Sequence, residues 1–106
     1  MTVAEWVRRR SPRPPDVLLD AVIRALGADG ERPESETAAA CLDVAAQRLA
    51  AILEERRFQR DGALDLLTVD ALVTYAFEHA STSAAKDLSG MAAAAITRLT
   101  ALAPAA

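Results

Sequence analysis

Between residues 65 and 80 the chain reads DLLTVDALVTYAFEHA, and at a helical period Val69, Leu72, Val73, Ala76, Phe77 and Ala80 share one face. Thr68 has the chemistry of an N-cap, because its hydroxyl can accept from a free N–H of the first turn. Leu67 and Leu72 stand at hydrophobic-staple spacing, and Asp70 places a carboxylate at the positive end of the helix dipole. The pattern predicts a central helix over residues 68–80, with Leu72, Val73 and Phe77 in the core.

The same reading gives the other elements. Residues 2–10 open with Thr2 and Glu5 at capping-box spacing and predict two helical turns with Val3, Trp6 and Val7 on one side. Two turns do not hold alone, so this piece is a helix only if Trp6 docks. The prolines of residues 11–15 then break it. Residues 16–26 form a second amphipathic stretch, with Leu18, Leu19, Val22, Ile23 and Leu26 as its stripe, Asp20 and Arg24 as an outward pair, and Gly27 as its stop. Residues 28–34 read as a polar loop. A third helix, capped by Ser35 or Thr37, is expected to run to about residue 60 and end at Asp61-Gly62, with Ala38, Leu42, Ala45, Leu49, Ile52 and Leu53 inward. Residues 63–67 form a short apolar connector, either irregular or a helical turn wedged between layers. A last helix, capped within residues 81–83, runs to Pro104 with Leu88, Met91, Ala92, Ala95, Leu99 and Leu102 inward and Gly90 as a kink or a point of close approach.

The expected fold is therefore all-α: a small antiparallel bundle of about four helices (residues 16–103) preceded by a short helical arm and Pro-rich linker (residues 1–15). Ala supplies about a quarter of the 106 residues, and no apolar–polar alternation marks a strand. The net charge of −3 is unevenly spread: residues 1–14 carry four Arg against one Glu, which leaves −6 for the rest. An acidic body disfavours a broad nucleic-acid surface. The single cysteine excludes an internal disulfide and a Cys-based zinc cluster. The sequence shows neither a signal-peptide pattern nor an apolar run of membrane-spanning length, so a cytoplasmic protein with no membrane contact is expected.

Tyr75, Glu78 and His79 are the one cluster with the makings of a ligand or catalytic site, since Tyr75 and His79 are i,i+4 neighbours. One histidine makes one good metal ligand, and neither H-x-x-x-H nor E-x-x-H is present. Cys41 and His79 would need a fold contact to act as nucleophile and base. The simpler reading has the two rings bordering the core with wet polar tips, and Cys41 as a small buried hydrophobe. Arg8, Arg9, Arg10 and Arg13 can meet phosphates through charge, but only Trp6 stands near them as a base-stacking aromatic. No phosphate loop, nucleophile elbow or metal motif occurs, so no cofactor and no metal are expected and nothing argues for an enzyme.

Val44, Ala51 and Phe58, spaced by seven, form a second apolar line on the third helix, away from Leu42 and Leu49. Two lines predict a helix buried twice, once in its own bundle and once elsewhere. With Trp6 and the Ala-rich face of the last helix widening the patch, the expectation is a non-enzymatic association module, a homodimer or a protein that binds a protein partner. The alternative is that Phe58 folds back over residues 63–67 within one chain. A site at Tyr75, Glu78 and His79, and nucleic-acid binding through the Arg-rich arm, are the competing functions.

Overall fold

The computed structural model describes the backbone of residues 1–55, 60–82 and 85–102, and side chains in these ranges apart from residues 60, 61, 85–89 and 91. Five α-helices account for most of it: α1 (Val3–Arg8), α2 (Asp16–Leu26), α3 (Thr37–Glu55), α4 (Arg60–Thr82) and α5 (Ala85–Ala101). Two 3₁₀ turns, Gly27–Glu31 and Glu34–Glu36, connect α2 to α3. Among the described residues the only β-type pairing is an isolated bridge between Thr2 and Pro33. The fold is all-α.

α3 and α4 make the most extensive helix pair, with α2 packed chiefly on α4 and α5 on α4 and α3. Leu72 and Ile52 are fully buried between them, beside Val22, Leu26, Cys41 and Ala45. Val73 and Phe77, expected inside, are only half-buried. α2 starts and stops where the sequence says: Pro15 precedes its first turn and Gly27 follows its last with φ of 50°, a conformation that favours glycine. Asp20 and Arg24 do not come within ion-pair distance.

Four expectations fail for identifiable reasons. The segment 63–67 is helical but is no separate connector, because α4 begins at Arg60 and runs unbroken for 23 residues. Gly62 sits inside its first turn at a cost of about 1 kcal/mol, which the leucine-rich stretch after it overrides. Thr68 is consequently interior and caps nothing: its hydroxyl donates to the Leu64 carbonyl at 2.8 Å, and Leu67, the staple partner, is 54% exposed. Thr37 likewise donates, to the Glu34 carbonyl at 2.6 Å. The inner face of α3 is centred on Cys41, Val44, Ala45 and Ile52, whereas Leu42 and Leu49 are half-buried. At 100° per residue this face is turned about 70° from the one expected. Small residues at 40, 41 and 45 set that rotation, since they let a neighbouring helix axis approach where bulky leucines would hold it off.

At the other end of the molecule, Ser81 and Thr82 belong to α4, with hydroxyls donating to the Glu78 and His79 carbonyls, and Ser83 lies outside the described residues. α5 passes through Gly90 without interruption, and a Cβ there would meet nothing within 4 Å, so close approach is not its purpose. Arg98 of α5 donates to Asp43 of α3 at 2.8 Å. Asp43 also lies 3.7 Å from Arg32, whose guanidinium joins Asp29 and Glu36 and so ties the 3₁₀ connection to the start of α3.

α1 is part of the core. Val3, Ala4, Trp6 and Val7 are all buried. Thr2 caps the helix, accepting from the Glu5 N–H at 3.2 Å. Two backbone bonds then fasten it: Val3 N–H donates to the Arg32 carbonyl and Glu34 N–H to the Met1 carbonyl, each at 2.9 Å. Gly30 is buried under this strap, where a Cβ would meet that of Ala4 at 3.2 Å.

Candidate functional site

The residues with chemistry converge where α1 meets α4. Tyr75 and His79, one turn apart on α4, are both buried and turned toward Trp6. The indole stands edge-on to the His79 ring at 5.1 Å between centroids and to the Tyr75 ring at 6.3 Å, an arrangement that suits aromatic quadrupoles. Arg10 closes the other side. Its guanidinium lies 3.7 Å from the Trp6 ring centroid, and its Nε donates to the Trp6 carbonyl at 3.1 Å. His79 Nε2 lies 3.1 Å from Glu34 Oε1. A carboxylate only accepts, so the imidazole donates here. The backbone bridge at Thr2 and Pro33 thus places two groups against His79: it seats α1 with Trp6, and it brings Glu34 alongside.

Burial favours the protonated form of two other groups in this region, Cys41 and Tyr75. Cys41 is fully buried, and desolvation pushes its thiol up to about 12, so no thiolate forms at neutral pH. Burial likewise raises the Tyr75 phenol, with the Glu78 charge adding to the effect and Arg10 opposing it. Neither is prepared as a nucleophile or a general base. Among the described residues no three His, Cys, Asp or Glu side chains gather where a metal ion would sit. Glu78 parts from the predicted trio: it is exposed and lines a groove on the other flank of α4. Edge-to-face rings, a cation over the indole and a filled hydrogen bond amount to a clamp.

Compared with models of known families, with characterised proteins and with solved structures, the chain matches none.

The predicted interface is also redistributed. Trp6 is 4% exposed and Val44 2%, so both are spent inside one chain. Ala51 is half-buried, and Phe58 lies outside the described residues. The second apolar line of α3 is, at Val44, an edge of the single buried face. Apolar surface is open elsewhere, between α4 and α5. Val73, Thr74, Phe77, Glu78, Ser81 and Ala92 line a shallow groove of about 690 Å³, and Ile96, one turn beyond Ala92 on α5, is 65% exposed. Sequence reasoning placed Arg10 only in the basic arm, missing its contact with Trp6, and missed Glu34. Arg10 was accessible through its i,i+4 spacing to Trp6; Glu34 was not, because a backbone bridge between distant segments positions it. Among the described residues no helix is long and apolar enough to cross a membrane.

Proposed function

We propose that this protein is a non-enzymatic helical association module that pairs with a second copy of itself through the α4–α5 face. The observation that supports this reading is the open groove itself. Val73 and Phe77 of α4 are half-buried and Ile96 of α5 is largely exposed, whereas the chemically richest cluster, around His79, is closed by its own neighbours. Two helices flanking an apolar groove accept a third helix. In a two-fold pair, α5 of each copy would lie along the groove of the other, with small residues such as Ala92 allowing close approach.

Sedimentation velocity of the wild type and of Ile96→Glu tests this. Ile96 is exposed, so the substitution leaves the fold intact by circular dichroism. The expected result is a wild-type dimer at micromolar concentration and a folded Ile96→Glu monomer. A wild-type monomer across that range refutes self-association, and a variant as dimeric as the wild type refutes this face.

A further inference from the structure

A second cleft, of about 350 Å³, lies on α1, the Pro-rich link and α2, apart from the α4–α5 groove, and is lined by Arg8, Arg13, Leu19, Asp20, Ile23 and Arg24. Three arginines from three successive segments meet there. Their mutual approach is unfavourable unless a counter-charge is present. The chain supplies little of one. Arg8 and Arg24 form no ion pair among the described residues. Arg13 reaches Asp16 at 3.4 Å, but both side chains are well exposed, where such a contact contributes little. Three guanidinium groups stand against one lining carboxylate, Asp20, and Asp16 at the rim beside Arg13, so the cleft keeps a net positive charge that favours an anion.

We propose that this cleft binds a small phosphate-bearing ligand, with Arg8, Arg13 and Arg24 holding the phosphate and the side chains of Leu19 and Ile23 forming an apolar wall. Arginine suits this task because its planar fork presents paired N–H donors to phosphate oxygens. The volume falls at the lower end of the range for small-molecule sites, roughly 300–1,000 Å³. The anchoring is firm on both sides: Arg8 ends a helix whose Trp6 and Val7 are buried, and Leu19 of α2 is 4% exposed. A nucleic acid fits less well. Trp6, the aromatic closest in sequence to the basic residues, is buried beneath Arg10 and offers no face to a base.

The test is calorimetric titration of the full chain with inorganic pyrophosphate at low salt, beside a short single-stranded oligonucleotide. The proposal expects saturable, equimolar binding of pyrophosphate that Arg8→Gln and Arg24→Gln each weaken by about tenfold or more. Arg9→Gln, outside the cleft, changes it by less than roughly twofold if the site is local and not a diffuse field. Amide NMR shifts on adding pyrophosphate should fall on residues 8–24, and circular dichroism verifies that each variant is folded. No binding at millimolar pyrophosphate overturns the proposal. So does equal weakening by Arg9→Gln, and so does tighter binding of the oligonucleotide than of pyrophosphate, which makes the patch a nucleic-acid surface.

Discussion

Replacing Trp6 by alanine removes the side chain that holds α1 in the fold, and the cost can be worked from its surroundings. The indole is 4% exposed, and truncating a buried tryptophan to alanine costs about 3–5 kcal/mol. The edge contacts with His79 and Tyr75 overlap with that burial, although such pairs add roughly 0.5–1.5 kcal/mol beyond area alone. The Arg10 stack, half-exposed, contributes about 0.5–1 kcal/mol. α1 has six residues and no stability of its own, so what remains to seat it is Val3, Ala4, Val7 and the two backbone bonds to residues 32 and 34. The expected loss is about 4 kcal/mol, a large share of the roughly 5–15 kcal/mol that a domain holds. Urea unfolding followed by circular dichroism measures it. Trp6 is also the only tryptophan, so the wild-type emission should be blue-shifted and should move red as the helices melt. A loss below about 1 kcal/mol, the range of an unremarkable surface substitution, would refute the docking of α1. A native emission typical of a water-exposed indole would refute it independently.

Gly90→Ala should raise stability by about 0.5–1 kcal/mol, because Gly90 is exposed within α5 and an added Cβ meets nothing within 4 Å; a lower melting temperature would mean that something covers that position. Cys41 predicts a loss of stability at high pH. Its thiol is pushed up to about 12 in the fold, against roughly 8.5 in an unfolded chain, so the stabilisation is complete below about pH 8.5 and is lost as pH rises toward 12. Urea midpoints between neutral pH and about pH 10 should therefore fall less steeply in Cys41→Ala than in the wild type. Identical slopes would show that Cys41 does not titrate with unfolding.

Where one local rule acted alone, the sequence was legible. α2 has its bounds written in Pro15 and Gly27, and Thr2 declares α1 by capping it. Prediction failed where two rules competed. At residues 61–62, Asp-Gly looks like a stop, but the leucines and alanines that follow favour helix strongly enough to carry α4 through it. On α3 a stripe drawn through the largest side chains, Leu42 and Leu49, points to the wrong flank. A helix approached closely through Ala40, Cys41 and Ala45 turns its small residues inward, and periodicity weighted by bulk does not see that. The dimer line drawn through Val44 inherited the same error.

The candidate site fails to be legible for a different reason. Tyr75 and His79 were visible as a pair because one helix presents both, but whether such a pair is a ligand site or a structural contact depends on what faces it. The facing groups arrive from two other segments, Trp6 and Arg10 from α1 and its end, and Glu34 from the 3₁₀ turn. Those segments are set against each other by main-chain hydrogen bonds between residues 1–3 and 32–34, which carry no side-chain signature. The physical outcome follows from their arrival. A buried imidazole needs a partner for its N–H, and Glu34 supplies it from within the chain; a buried indole needs a face filled, and Arg10 fills it. A ring cluster satisfied in this way has little left to offer a ligand. Arg8 and Arg24, which have no carboxylate partner among the described residues, together with the half-covered apolar side chains of α4 and α5, are where the fold still has an interaction to make.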